Sequence, residues 1–488
     1  MKNKTGVCRA LLLVGMGLMI PCYLFTAGNT LLSPWPLYDR NRLALCLLTP
    51  LCLLLLLLLG RAAKAKVFET HERAVLLGFA AFYFVIQLVM ASALRFTPVT
   101  DLEQCVTAAR RLAQAGAFGD SERSLIYFGR YPHNMGLVYL LAGIFKAADA
   151  LGADELIAAA LVCGLLFSMG LLCAARLCRR LGGAQAQARA LLLFATCLPF
   201  LYCTSELYTD AFSVAFAPMI VFAFLKARDA GSRKERSLWA LLFAVCTFFG
   251  AQIRFPTIIA AIACLIASLF EKRAKLTALL AAPLALVFAV GGSAVNAANK
   301  ANLGAANIAQ NKLPKLHYIA MGLPVQSDEG YGQYGYGGWL IFSTSFDDPQ
   351  ARDEALRQEV VDRAYTLAHH PAQLLSTLSR KNLSTFGRGT FNLNEIFEAD
   401  AHEADNAVKQ AVFENGRFNR AYTHLATAMF VAQMALACIA CIQAIRRRDT
   451  RAAPLFLTLL GAFLFLSIWE TRARVLEQDW MSLNSAGG

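Results

Sequence analysis

Long apolar stretches, separated by short basic clusters, set the pattern of this chain. A helix needs about 20 apolar residues to cross a bilayer. On that criterion eleven spans are predicted: Val7–Ala27, Arg42–Gly60, Val75–Leu94, Glu155–Ala175, Ala184–Cys203, Ala211–Leu225, Leu238–Ile253, Phe255–Phe270, Leu276–Val295, Ala421–Ile445 and Ala452–Ile468. The two on either side of Arg254 are short and nearly touch. The first has a basic flank (Lys2, Lys4, Arg9) but no small-residue cleavage site after it, so a retained signal anchor is expected.

Two further segments have helical spacing but should not span. In Asp101–Gly116, Leu102, Val106, Ala109 and Leu112 recur on one face, with Glu103, Gln104, Arg110 and Arg111 on the other, the pattern of an amphipathic helix at the membrane interface. Met135–Ala148 is too short for a span and carries Lys146, so a re-entrant or interfacial helix is expected, opened by Pro132.

Composition agrees with a membrane protein. Hydrophobic residues make up 57% and charged residues 16% of the chain, against about 25% charged in soluble domains. The fold class expected is an all-α polytopic membrane protein with about eleven spans. The division expected is a transmembrane module over residues 1–298 with an outer loop at 95–154, an outer cap region over 299–420, and C-terminal membrane helices with a short tail over 421–488.

Lys and Arg bias sets orientation. With the N-terminus inside, the clusters Arg61/Lys64/Lys66, Arg176/Arg179/Arg180, Lys226–Arg236, Lys272–Lys275 and Arg446–Arg451 all fall inside if Leu94–Asp154 is one outer loop. The formal charge of +13 is then mostly positive-inside charge, and no nucleic-acid partner is expected. The 14 Cys lie mainly within apolar stretches, where they act as small apolar residues, and form no zinc spacing.

The candidate chemistry sits at outer ends of spans. Asp101 stands where the third span leaves the lipid, with Glu103 nearby. A carboxylate there can take a proton from a hydroxyl, orient it, or bind a cation; it can equally cap the helix that follows. Asp210, in Ser205-Glu206-Leu207-Tyr208-Thr209-Asp210, admits the same two readings. Arg254, between two spans, is either a phosphate partner or an interfacial anchor. His133 and His317 are either substrate contacts or residues that satisfy a turn. A loosely held divalent ion at Asp101 and Asp210 stays open; no dedicated metal site is expected. The Gly-Tyr-rich stretch Gly330–Gly338 is either a lid or a linker.

Several short motifs occur in a particular order: Asp101, Ala108-Ala109-Arg110-Arg111-Leu112-Ala113, Tyr127-Phe128, Tyr131-Pro132-His133-Asn134-Met135-Gly136, Tyr208-Thr209-Asp210, Leu316–Leu323, Lys381 with Phe386–Phe391, and Trp469-Glu470-Thr471-Arg472-Ala473-Arg474. In this order they resemble the GT-C glycosyltransferases, and most of all the bacterial relatives of protein O-mannosyltransferases and of the lipid A aminoarabinose transferase. The resemblance implies a sugar donor on a polyprenyl phosphate. It also implies Asp101 as catalytic base with Glu103 as a companion, and Tyr131, His133 and Asn134 lining the same cavity. Asp210, Arg254, His317, Arg388, Arg472 and Arg474 are the remaining donor or substrate contacts expected. The acceptor would be a hydroxyl on a protein, a lipid or a cell-wall polymer, reached with inversion on the outer face of the cell membrane, among membrane lipids. The chain departs from the family after Arg474, where relatives continue into another span. A lipid-linked sugar flippase or transporter, and a non-catalytic scaffold, are the competing functions; no internal repeat supports a transporter.

Overall fold

A computed structural model describes residues 2–33, 41–63, 65–94, 98, 100–118, 122–325, 348–391, 393, 406–413 and 416–468. Every regular element among them is helical. Eight helices are long and apolar enough to cross a membrane: Arg9–Leu32, Arg42–Ala62, Glu72–Leu94, Glu155–Thr196, Thr209–Asp229, Arg233–Ile253, Ala274–Leu303 and Asn419–Arg446. Phe255–Phe270 and Ala453–Phe465 are apolar but shorter. The chain is thus built as a multi-pass membrane protein.

The difference from eleven has physical causes. Two of the expected spans fall within Glu155–Thr196, whose 42 residues are broken at Gly183 (φ 75°, ψ −171°). Only glycine adopts that backbone readily. The two legs fold back on each other there: Arg179 Nη1 donates to Gln187 Oε1 at 3.2 Å, and Ala175 and Leu191 share one buried cluster. The second leg ends at Thr196, and the chain passes through two 3-10 turns, Leu198–Leu201 and Cys203–Ser205. At Arg254 the backbone is extended and a 3-10 turn, Phe255–Thr257, follows, so the two runs flanking it are separate helices as expected. Phe255–Phe270, like Ala453–Phe465, falls short of bilayer length.

Much of the apolar surface is left outside. On Arg42–Ala62 only Leu45, Cys52 and Leu56 are buried, and Leu43, Leu47, Leu51 and Leu54 face outward. Ala274–Leu303 buries only Leu276, Leu280 and Leu303. Contiguous patches of this size are untenable in water and are at home in lipid.

The basic loops gather at one end of the bundle. Gln185 donates to the carbonyls of Gly60 and Ala63. Arg180 pairs with Asp229 at 3.1 Å, and Arg228 lies 3.6 Å from Glu271. Phe270 packs with Ala444 and Ala452, and Arg9 donates to the Arg448 carbonyl. Glu155, Asp210 and Arg254 lie at the opposite ends of helices that these loops connect, and Asp101 follows shortly after the opposite end of Glu72–Leu94.

The two extra helices complete that opposite end. Thr100–Ala115 turns Leu102, Cys105, Val106, Ala108 and Ala109 inward and packs on Met135–Ala150. Met135–Ala150 has one buried face and one exposed face, the latter with Gly143, Lys146 and Ala147. It buries Met135, Leu137, Val138, Leu141, Ala142, Phe145 and Ala148 against Thr100–Ala115, Glu155–Thr196 and Arg233–Ile253. The exposed Lys146 face is compatible with the expected re-entrant or interfacial position, while the other face packs closely on protein. Gly136 permits this: a Cβ there would lie 2.0 Å from the Gln252 carbonyl oxygen. Farther along, helices Pro349–His369 and Pro371–Phe386 clasp the segment after His317. Arg363 donates to the carbonyls of Ala320 and Leu323, Thr377 to Pro324 and Lys381 to Gly322 at 2.5 Å. The expected lid at Gly330–Gly338 lies outside the described residues.

Candidate functional site: a polar cluster around Asp101 and Arg254

Asp101 lies in the first turn of Thr100–Ala115, half-buried. It is inside the helix, where the dipole favours a negative charge, and its carboxylate is engaged from across the fold. Tyr208 Oη donates to Asp101 Oδ2 at 3.4 Å, and the Tyr127 hydroxyl is within hydrogen-bonding reach of the same carboxylate. Asn134 Nδ2 donates to Tyr127 Oη at 2.9 Å. Glu103, two residues on, sits about 200° around the helix from Asp101 and is exposed. The helix therefore does not turn the two carboxylates the same way.

Tyr208 begins a three-residue bracket. Asp210 Oδ2 lies 3.0 Å from Arg254 Nη1, and the same nitrogen donates to Thr209 Oγ1 at 3.1 Å. The Asp101, Arg254 and Asp210 charges all act on the Tyr208 hydroxyl. So the turn before Thr209–Ser213 joins the carboxylate from one helix to the guanidinium beyond another, residues that are far apart in sequence.

An aromatic row continues from this bracket. Tyr127 and Tyr131 have ring centroids 5.1 Å apart, because four residues span about one helical turn. Tyr131 meets His133 edge-on at 6.0 Å, and His133 meets Tyr318 at 6.1 Å. Tyr318 in turn is edge-on to His317 at 5.7 Å. Hence Tyr131, His133, Asn134, Asp210, Arg254 and His317, predicted from separate motifs, join one contiguous cluster with Asp101.

Electrostatics divide the cluster into donors and charges. Burial, and then the Asp101 charge, push the Tyr127 and Tyr208 phenols well up, so both stay protonated. The same two causes push up the Cys105 thiol, one turn along from Asp101. His133 is exposed at its surface, yet many protein atoms stand around its ring. That burial, with the Arg254 and Lys312 charges, pushes it down to about 4. His317 is fully buried and is pushed down to about 4, by burial first and Arg352 second. At neutral pH both imidazoles are uncharged, and the positive charge near His133 comes from Arg254 and Lys312.

Arg388 is the remaining predicted contact among the described residues. It is buried beside Gly389, whose N–H donates to Thr427 Oγ1 of Asn419–Arg446. A small gap next to Gly389, lined also by Thr196, Pro199, Phe430 and Gln433, belongs to that helix junction and not to the Asp101 cluster. Arg472 and Arg474 lie outside the described residues. Among the described residues no group of three or more His, Cys, Asp or Glu is arranged to hold a metal ion, and the Asp210 carboxylate already faces Arg254. The sequence reading passed over Tyr127, Tyr208, Thr209, Lys312 and Tyr318 as site residues. Tyr208 and Thr209 adjoin Asp210 in a motif already noted, and Tyr127 is one turn before Tyr131; nothing local marks Lys312.

No family model matches this chain, and comparison with curated sequences and with solved structures gives no match either.

Proposed function

We propose that this protein is a membrane glycosyltransferase of GT-C type, which moves a sugar from a polyprenyl-phosphate donor to an acceptor hydroxyl with inversion. The observation that carries this reading is that one turn, Tyr208-Thr209-Asp210, contacts both Asp101 and Arg254. Single displacement at an anomeric carbon needs a base for the incoming hydroxyl and a cation for the phosphate that leaves. Asp101 is the base: it takes the proton, the acceptor oxygen bonds to the anomeric carbon, and the carbon–oxygen bond to phosphate breaks. Arg254, with Lys312 nearby, meets the charge that builds on the departing phosphate, for which a guanidinium is suited. Neutral His133 and the Tyr131 and Tyr318 rings supply hydrogen bonds and apolar faces for a sugar.

The grouping of basic loops at the other end supports the direction of transfer. If those loops are cytoplasmic, the cluster faces the outside, and the apolar helices around it offer lipid-side access to a polyprenyl chain. The eleven-pass arrangement, with the Gly183 hairpin as two passes and the short helices Phe255–Phe270 and Ala453–Phe465 as one each, belongs to this proposal.

The test is reconstitution of purified protein in liposomes with radiolabelled polyprenyl-phosphate sugars. Release of polyprenyl phosphate, or transfer of label to water or an added hydroxyl acceptor, is expected. Movement of intact donor between leaflets without cleavage would replace this reading with a flippase. Neither cleavage nor movement for any donor tried, with donor still bound, would favour a non-catalytic protein.

A further inference from the structure

We infer that Tyr127 and Tyr208 are positioning residues for Asp101, a pair of phenol donors that hold its carboxylate while the Tyr208-Thr209-Asp210 bracket sets Arg254 at a fixed remove. The inference rests on the base role proposed for Asp101, but its geometry stands on separate contacts. Asn134 spends an amide N–H on the Tyr127 oxygen at 2.9 Å. That phenol then has its own proton to give, and Asp101 is within its reach. Tyr208 gives its proton to Asp101 Oδ2 at 3.4 Å. This is a long bond of the kind that tightens when substrate closes a site.

The two donors come from different parts of the chain, one from helix Glu122–Arg130 and one from the turn before Thr209–Ser213. Donors from two separate elements restrict how far the carboxylate can swing. Two neighbouring polar groups act differently from the phenols. Cys105 is neutral, its thiol pushed up by burial and by Asp101 itself. Arg254 faces Asp210 and Thr209, and the Arg254 and Asp210 charges both act on Tyr208.

The bracket has a second consequence. Tyr208 contacts the base, while the next two residues contact the guanidinium. No flexible linker separates them, so the distance between proton acceptor and phosphate partner is set by consecutive residues. This explains why an acidic residue stands at 210: it fixes the position of Arg254 while leaving its other guanidinium nitrogen for a ligand.

A titration of Asp101 itself tests the inference without any sugar donor. Infrared spectroscopy of purified, isotope-labelled protein, with Asp101→Asn to identify the band, gives the midpoint at which Asp101 takes up a proton. Hydrogen bonds to the charged form hold that midpoint down. Tyr208→Phe and Tyr127→Phe should each raise it by about one pH unit, a tenfold change in the protonation equilibrium. The double variant should raise it further. A monofluorinated tyrosine at position 208, a stronger donor of the same shape, should shift it the other way. This second measurement serves if a phenylalanine variant fails to fold. Midpoints equal to the parent's in both phenylalanine variants, or no downward shift with the fluorinated residue, would overturn the clamp. The base role fails separately: full turnover in Asp101→Asn removes it whatever the midpoints are. If both hold, Tyr208→Phe lowers kcat about tenfold with the KM for donor near the parent's, and the acid limb of the pH–rate profile moves by the same unit.

Discussion

Gly136→Ala probes the packing that delivers the Tyr131–Asn134 turn to the cluster. A Cβ at 136 would stand 2.0 Å from the Gln252 carbonyl oxygen and 2.7 Å from its carbon. Ordinary contact begins near 3.4 Å, so Met135–Ala150 and Arg233–Ile253 must separate by roughly 1 Å at that point. Overpacking of this kind costs about 3 kcal/mol, since backbone stands on both sides and no side-chain rotation relieves it. Replacing a helical glycine returns about 1 kcal/mol, for a net loss of about 2 kcal/mol. Gly143, on the same helix, is the control. A Cβ there meets nothing within 4 Å, so Gly143→Ala keeps the propensity gain alone and should be stabilising by about 0.5–1 kcal/mol. Thermal unfolding of the two variants in detergent, read by fluorescence, should therefore move in opposite directions. Because Asn134 lies two residues from 136, Gly136→Ala should also weaken its bond to Tyr127. A Gly136→Ala protein that melts with or above Gly143→Ala would refute the close approach of these helices.

Two further expectations concern stability. Gln87 is fully buried; its amide donates to the Phe200 carbonyl, and its oxygen accepts from Thr204 N at 3.2 Å. Gln87→Leu strands both backbone groups and should cost about 3 kcal/mol in an equilibrium unfolding titration; a change below about 0.5 kcal/mol would dismiss the contact. His317 is uncharged when folded, with its ordinary 6.5 lowered to about 4. The unfolded chain binds the extra proton between those values, so this histidine costs stability as pH falls from 6.5 towards 4, by up to about 3 kcal/mol. Melting of His317→Gln should be flatter over that window; identical pH dependence would show that burial does not hold the imidazole neutral.

The multi-pass helical character was legible because apolar runs of bilayer length leave few other folds, whereas the break at Gly183 was not read from the sequence. Glu103 was expected as a companion of Asp101, but at i, i+2 on a helix it turns about 200° away and is exposed. The packing of Met135–Ala150 was not legible. Length and one lysine put it at an interface, whereas its packing depends on Gly136 meeting Gln252, a contact between distant segments. Tyr208 escaped for the same reason: its bond to Asp101 joins residues 107 apart in the chain. Arg388 was grouped with the site by its motif alone, and its burial beside Asn419–Arg446 reflects the helix junction at Gly389, where a Cβ would strike the Ala426 carbonyl at 2.2 Å. Tyr131, His133, Asn134, Asp210, Arg254 and His317 were singled out one by one from the sequence, but that they lie in one cluster with Asp101 was not legible, because their contacts join distant segments.

The central claim, that Asp101 is a base acting on an acceptor hydroxyl, is tested most directly by single-turnover kinetics with a polyprenyl-phosphate sugar bound to native protein and to Asp101→Asn. Loss of a positioned base is expected to slow transfer about 10²- to 10⁴-fold while donor affinity stays within a factor of about three. Transfer by Asp101→Asn at the native rate, with donor equally bound, would contradict the account.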